Sequence, residues 1–230
     1  MYIHKIPTLR CWLAILLVGS FFLKSHPCFS QVKGEDGPSG AVTKQFEGKI
    51  TYQLIFKDRT GLLSDESAQR MMGDQQHYTI KGDHYRAELN GMLNVTQIYL
   101  GGDTLYTQMS AYNGIQWTDS RVNLNELVNF EIVRNADTIL GKVCDALVYQ
   151  TGKGEARYYY NSEIPADPSL FSKHEYGFWK FCVEQTQAIP LRHVLDYKDT
   201  YVETIATEIT PMEVEKTEFD LPDLPRYKSQ

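Results

Sequence analysis

The sequence predicts a mainly β fold, an antiparallel meander of strands with one or two short helices. The first observation is that apolar and polar side chains alternate through most short runs of the chain, as in strands with one buried face. The second is that turn-forming pairs such as Asn-Gly and Gly-Asp separate these runs at intervals of roughly 8–12 residues. The third is length: removal of a 30-residue signal peptide from the 230 residues leaves 200, which suits a single domain.

Residues 1–30 have the pattern of a cleaved signal peptide. Basic residues precede an unbroken apolar stretch from Cys11 to Val18, and the small side chains of Cys28 and Ser30 stand shortly before Gln31. This pattern predicts cleavage between Ser30 and Gln31. The alternative is a membrane anchor, but the apolar run is shorter than the roughly 20 residues that span a bilayer. We therefore expect an exported protein.

Export changes both the charge and the cysteine count of the mature chain. Cleavage removes three Lys or Arg residues and no acidic residue, so the formal net charge goes from −6 to −9. An acidic chain without a basic stripe argues against nucleic acid as a partner. Of the four cysteines, Cys144 and Cys182 remain, and an even pair in an oxidising compartment predicts a disulfide between them. The alternative is two separate buried thiols.

The mature chain divides into three parts. A disordered leader is expected over residues 31–45, which are rich in Gly and poor in apolar side chains. One β-rich domain is expected over residues 46–220. Prolines then predict a C-terminal tail without long regular structure over residues 221–230.

The first predicted elements are a strand and a helix. The strand runs from Phe46 to Phe56, where apolar side chains occupy most alternate positions. The helix runs from Ser64 to Met72, because Ser64 is a favourable N-cap, two acidic residues follow it, and Gly73 can end the helix.

The clearest hairpin runs from His77 to Leu89 and turns at Gly82-Asp83. Pairing Lys81 with His84 places five side chains on one apolar face: Tyr78, Ile80, Tyr85, Ala87 and Leu89. His77 and His84 do not face each other across this hairpin, so we expect no metal site there.

Further strands are predicted along the rest of the chain, and two regions break the strand pattern. The predicted strands are Val95–Leu100, Thr104–Met109, Lys142–Gln150, Glu155–Tyr160, Leu191–Tyr197 and Tyr201–Ile209. We expect a short helical turn at Asn123–Val128. Ser162–Phe181 contains prolines and aromatic residues without clean periodicity, so we expect a loop with one helical turn.

Four segments carry a resemblance to a known family. These are FEGKITYQLIF, IKGDHYRAEL, TILGKVCDALVY and ARYYYNSEIP, and they occur in family order within residues 46–200. The chain resembles an exported family of unknown function from Bacteroides-type bacteria, which is related to the GLPGLI proteins. Such proteins are similar to lipoprotein carriers of the LolA and LolB type. Where GLPGLI proteins carry their name motif, this chain retains only Ile189-Pro190-Leu191.

The resemblance implies a fold, a location and a kind of ligand. The implied fold is a strongly curved antiparallel sheet, an open half-barrel, with helices over its concave side. The implied location is periplasmic or associated with the outer membrane, or extracellular. The implied ligand is a lipid, a lipoprotein or another apolar molecule.

The aromatic residues supply candidates for a ligand-binding site. Tyr52, Phe56, Tyr78 and Tyr85 fall on the apolar faces of their strands and are candidates to line a concave pocket. The alternative is that they only fill the core. No common catalytic or nucleotide-binding motif occurs, so we expect no enzyme activity, no cofactor and no metal site.

Three other functions stay open at this point. The main rival is a scaffold or protein-interaction domain with an envelope partner and no small ligand. An envelope hydrolase and a glycan-binding protein are lesser alternatives. The sequence does not predict the oligomeric state.

Overall fold

The computed structural model describes residues 45–229 and consists of one open sheet of twelve strands with two short α-helices. This architecture confirms the predicted mainly β fold. The predicted signal peptide, its cleavage site between Ser30 and Gln31, and the predicted leader as far as residue 44 lie outside the described residues.

The strands form two consecutive meanders that meet in the middle of the sheet. The sheet order is β12-β6-β5-β4-β3-β2-β1-β11-β10-β9-β8-β7. The helices are α1 (Asp65–Met72) and α2 (Trp179–Thr186). The strands are β1 (Gly48–Asp58), β2 (Gln75–Lys81), β3 (His84–Leu89), β4 (Thr96–Leu100), β5 (Thr104–Gln108), β6 (Ile115–Asp119), β7 (Leu127–Ile139), β8 (Lys142–Thr151), β9 (Gly154–Pro165), β10 (Ala188–Tyr197), β11 (Thr200–Pro211) and β12 (Arg226–Lys228).

The strand pairing is antiparallel except at one edge of the sheet. β1 pairs with β2 on one side and with β11 on the other, and both pairs are antiparallel. β12 pairs with β6 in parallel, so the sheet is mixed and the C-terminal tail contributes a strand to it. The predicted hairpin is confirmed with Lys81 opposite His84.

The connection between β6 and β7 requires the sheet to be strongly curved. These strands lie ten strand spacings apart in the sheet order, which corresponds to about 48 Å in a flat sheet. Only eight peptide links join Asp119 at the end of β6 to Leu127 at the start of β7, and a chain of that length reaches about 28 Å. The sheet must therefore curl until its two edges approach each other. We call residues 120–126 the crossing segment.

Both helices lie on one face of the sheet, which we call the concave face. On β1 this face carries Leu54 and Phe56, which pack with Ala68 and Met72 of α1. The predicted helix is confirmed, because Ser64 is its N-cap and its hydroxyl accepts a backbone hydrogen bond from the first turn.

Helix α2 covers the concave face over β8 and β9. The rings of Phe178 and Phe181 pack edge-on against Tyr149 of β8, with centroids 5.5 and 5.8 Å away. Val183 and Thr186 are buried on the same helix. This packing closes the concave face over β8 and β9.

The structure corrects two predictions in the irregular regions. Asn123–Val128 is not a helical turn, because residues 120–126 cross between the sheet edges and β7 begins at Leu127. Within Ser162–Phe181, the predicted loop is interrupted by regular structure. β9 continues to Pro165 and α2 begins at Trp179, with short 3₁₀ turns at Pro168–Phe171 and Tyr176–Phe178 between them.

The structure also corrects the predicted disulfide, since Cys144 and Cys182 are both free and buried. Cys182 lies on α2, where its thiol hydrogen-bonds with the hydroxyl of Tyr149. Side chains of a strand alternate between its two faces. Cys144 is five positions before Tyr149 on β8 and therefore points to the opposite face of the sheet. An even cysteine count is consistent with a bridge, but the strand geometry separates the two sulfurs.

Candidate ligand-binding cavity

A cavity of about 230 Å³ lies between the concave face and the chain that crosses it. Its apolar lining comes from Leu54, Phe56, Met72, Ala87, Leu89, Val95, Leu124, Phe178, Leu195 and Val202. Its polar lining comes from Gln76, Gln97, Asn123, Asn125, Tyr176, His193, Tyr197 and Thr204, and Gly177 completes the wall. Apolar side chains with a few convergent polar groups are typical of small-molecule sites.

Strand register assembles the floor of the cavity from distant parts of the sequence. Phe56 of β1 lies opposite Val202 of β11, and Val202 lies opposite Leu195 of β10. Thr204 lies opposite both Leu54 and His193. Opposite residues in antiparallel strands point to the same face, so the first strand of the domain and its last long strands build one apolar surface.

The crossing segment and the turn before α2 form the roof. The backbone N–H of Tyr176 donates to the carbonyl oxygen of Ser120 at 2.9 Å. The Ser120 hydroxyl donates to the carbonyl oxygen of Lys173 at 3.0 Å. These bonds attach the crossing segment to the turn at Tyr176–Phe178. Hydrogen bonds to two backbone carbonyl groups therefore hold the roof in place, in addition to side-chain packing.

No carboxylate, lysine or arginine lines the cavity within residues 45–229. Burial lowers the pKa of His193 to about 4, so its imidazole is neutral at pH 7. Nε2 of His193 lies 3.3 Å from the Tyr149 hydroxyl. Burial likewise raises the pKa of Tyr197 to about 12, which keeps its hydroxyl protonated. The cavity is thus polar at a few points but carries no charge at neutral pH.

Asn125 lies in the roof of the cavity, and its side chain is held by neighbouring groups. Its Oδ1 accepts the backbone N–H of Glu126 at 3.1 Å, and its own backbone N–H donates to Oδ1 of Asn123 at 3.2 Å. Its buried side-chain amide lies beside the Tyr197 hydroxyl, and a hydrogen bond between these two side chains partly opposes the effect of burial on the Tyr197 pKa. This contact joins the crossing segment to β10.

The four aromatic residues predicted from the sequence occupy two different places. Phe56 lines the cavity. Tyr52 is buried, and its hydroxyl donates to the carbonyl oxygen of Pro190 at 2.8 Å. Tyr85 is buried with its hydroxyl 2.7 Å from Nε2 of His174, and the ring of Tyr78 packs 5.3 Å from that of Tyr85. The three tyrosines belong to the packed core beside the cavity.

Sequence reasoning missed most of the lining residues. The run from Leu191 to Tyr197 was predicted as a strand, and its alternation places His193, Leu195 and Tyr197 on one face. Its pairing with β11 through the Lys198-Asp199 turn could have added Val202 and Thr204. Asn125 carries no such signal, because it lies in irregular chain that only the curvature of the sheet brings over the cavity.

Metal-site clusters and membrane-spanning helices are both absent from residues 45–229. No group of three or more His, Cys, Asp or Glu side chains is arranged to hold a metal ion in this range. None of the helices in this range has the length and apolar character needed to cross a membrane.

Comparison with known proteins gives similarity to solved structures only. No family model and no curated protein matches the chain. Two structures of PNGF-II, in C2 and P21 space groups, match with a TM-score of 0.45 at 8% and 9% identity. They cover 79% of this chain, which spans about a third of theirs, 31% and 32% respectively.

A third solved structure is the LolA superfamily protein NE2245 from Nitrosomonas europaea. It matches with a TM-score of 0.37 and 8% identity, and the match covers 79% of this chain and 93% of that one. The resemblance to GLPGLI proteins stays a prediction from the four sequence segments.

Proposed function

We propose that this protein binds an apolar molecule the size of a single acyl chain in the cavity of its curved sheet and acts in the cell envelope as a non-catalytic binding protein. The observation that carries the proposal is the apolar, uncharged cavity between the concave face and the crossing segment. Transfer of apolar surface from water into such a site contributes roughly 25 cal/mol per Å².

The size of the cavity limits the ligand. An apolar cavity of about 150 Å³ can hold benzene, and sites for drug-sized molecules usually measure about 300–1,000 Å³. The cavity here, at about 230 Å³, lies between these values. One acyl chain or a small ring fits this range, whereas a lipid with several chains would have to leave most of its apolar surface outside.

The character of the lining supports an apolar ligand. The cavity is partly open to solvent, and most of its wall is apolar. Apolar side chains are more stable against an apolar occupant than against water. Such an occupant also restores van der Waals contacts with the lining side chains.

The location and the lack of catalysis belong to the same proposal. The N-terminal pattern of residues 1–30 supports export to the periplasm, to the outer membrane or beyond. The cavity offers one neutral histidine and no carboxylate within the described range, which favours binding over acid–base chemistry.

The direct test is whether the mature protein, expressed in a bacterial envelope, carries an acyl compound that native mass spectrometry detects. A cavity-filling Val202→Trp variant should lose the compound, because Val202 faces Phe56 across the floor. Val143→Trp is the matched control, since Val143 is exposed on β8 away from the cavity. A wild-type protein without bound compound that also fails to take up N-phenyl-1-naphthylamine, a neutral apolar dye, would contradict the proposal.

The outermost strand β7 favours a second candidate function, docking of an envelope protein partner. Three of its apolar side chains are exposed: Val128 at 64%, Phe130 at 47% and Val133 at 40%. β7 pairs only with β8 within the described residues, and an exposed edge of this kind can add a strand from a partner. Val133→Lys would then abolish partner binding and leave dye uptake unchanged, whereas partner binding that survives this change would argue against docking at β7.

A further inference from the structure

The two edges of the sheet differ in how readily they can accept a further strand. β12, at one edge, has only three residues and carries Arg226 and Lys228. Short edge strands with cationic side chains discourage pairing with another chain. β7, at the other edge, has 13 residues and exposes the apolar side chains of Val128, Phe130 and Val133. Within the described residues, β7 is therefore the edge suited to pair with a strand from outside.

The pairing of β7 with β8 determines which main-chain groups of β7 face outward. In an antiparallel pair, alternate residues direct their N–H and C=O groups to opposite edges of the strand. The two-residue turn Leu140-Gly141 makes Ile139 and Lys142 the first hydrogen-bonded pair of the hairpin. Even-numbered residues of β8 thus bond to β7, and beyond the register shift they lie opposite odd-numbered residues of β7. The N–H and C=O groups of Phe130 and Ile132 therefore point to the outer edge.

The sequence of β7 is complementary to itself when a second copy pairs antiparallel about Phe130. A two-fold axis at this residue places Phe130 opposite Phe130 of the second copy and makes them a hydrogen-bonded pair. In the same register Val128 lies opposite Ile132, and Leu127 lies opposite Val133. Every apolar side chain between Leu127 and Val133 thus meets an apolar side chain of the second copy.

The charged residues favour the same register. Glu126, just before β7, then lies opposite Arg134 of the second copy, and opposite charges across a strand pair are favourable. A two-fold axis at Glu131 would instead place two carboxylates directly opposite each other, which is destabilising. The Arg134 side chain is 70% exposed although it is ion-paired with Asp145 of its own chain, so its guanidinium remains open to a second carboxylate.

Helix α2 adds an aromatic contact to this pairing. The ring of Phe130 packs edge-on against that of Phe181 on α2, with centroids 5.2 Å apart. A two-fold axis perpendicular to the sheet keeps the concave faces of both copies on the same side. The pairing therefore brings the Phe130 and Phe181 rings of both copies together in one cluster.

We infer that the partner of β7 is a second copy of this chain, and that the two β7 strands pair antiparallel about Phe130 in a symmetric dimer. This inference rests on the docking role proposed for β7 and is independent of the acyl-chain cavity. A single pair of strands forms a small interface, so we expect a weak, reversible dimer with a Kd in the micromolar range.

Sedimentation velocity of the mature protein over a roughly hundredfold range of concentration measures this dimer. Phe130→Lys should raise the dimer Kd at least about tenfold, because it removes the aromatic contact and places two cations opposite each other at the axis. Val143→Lys is the matched control and should leave the Kd unchanged, since Val143 is exposed on the inner strand β8. If Phe130→Lys is not folded by circular dichroism, Val128→Lys replaces it. A dimer that survives in a folded variant overturns the inference.

Cysteine cross-linking tests the register. With the axis at Phe130, Asn129 lies opposite Glu131 of the second copy in a non-hydrogen-bonded pair, whose Cα atoms are about 4.5 Å apart and within disulfide reach. An oxidised mixture of Asn129→Cys and Glu131→Cys proteins should therefore form linked dimers at least about tenfold faster than either variant alone. The two native cysteines are buried and do not compete. Equal or faster linking of one variant with itself contradicts this register.

The failure of the dimer can be told apart from the failure of the docking role. A wild type that stays monomeric at every concentration overturns the inference. A photo-reactive phenylalanine analogue at Phe130 then shows whether β7 docks at all in the intact envelope. Cross-linking to a different protein would leave the docking role in place, whereas no cross-linked partner would overturn the docking role as well.

Discussion

Acidification from pH 7.5 to pH 5.0 should destabilise the protein through two histidines, the buried His174 and the half-buried His193. Burial lowers the pKa of His193 and of His174 to about 4, from 6.5 in the unfolded chain. The unfolded state therefore binds protons that the folded state cannot. The free energy of unfolding is therefore undiminished by these groups above pH 6.5. It decreases as the pH falls from 6.5 towards 4.

The size of the effect follows from the two pKa values. With 6.5 unfolded and about 4 folded, each histidine lowers the free energy of unfolding by about 2 kcal/mol at pH 5.0, and the two together by about 4 kcal/mol. No charged side chain is among the causes that shift either pKa, so burial is the origin of both shifts. Asp58 has a lowered pKa and loses its contribution only below this pH window.

Urea unfolding followed by tryptophan fluorescence measures this effect, because the ring of Trp179 packs 6.2 Å from that of His174. A His193→Gln variant should lose about half of the pH dependence. His77→Gln is the matched control and should keep all of it, since His77 is exposed outside the cavity. The same free energy of unfolding at pH 7.5 and pH 5.0 in the wild type would refute this reasoning.

Two further predictions concern the cysteines and the first helix. Cys144 and Cys182 should resist a thiol reagent in the folded protein and give two labelled thiols after denaturation without reductant, because both are buried and free and burial raises the pKa of Cys182 to about 12. Mass spectrometry that finds them bridged before reduction would contradict the structure. Ser64→Ala should lower the free energy of unfolding by about 1 kcal/mol, because it removes the N-cap of α1. Urea denaturation checks this value, and an unchanged midpoint would show that the cap contributes nothing.

The sequence predicts those strands whose local pattern agrees with their final environment. β1 is predicted because its alternate residues are all buried, and the β2–β3 hairpin because Gly82 adopts the positive φ that its turn requires. β7 was missed. Its pairing with β8 shifts register between Val133 and Asp137, so the alternation breaks within the strand, and its apolar residues are partly exposed.

The cavity was only partly predictable, since it depends on how far the sheet curls. Tyr52 and Phe56 have the same alternation on β1, yet the first is buried in packed core and the second lines the cavity. Their difference arises from position along the strand relative to α2 and the crossing segment. Asn125 is brought over the cavity by a connection whose course depends on the order of all strands between β6 and β7. The position of Asn125 thus depends on contacts between distant parts of the chain, so no local sequence pattern predicts it.

The position of a bound acyl chain tests the central claim most directly. A crystal structure of the mature protein with methyl 12-bromododecanoate would locate the bromine by anomalous scattering. We predict bromine within the cavity, above the floor formed by Phe56, Leu195 and Val202. Bound bromine found only outside this cavity, for example along the exposed edge of β7, would contradict the account.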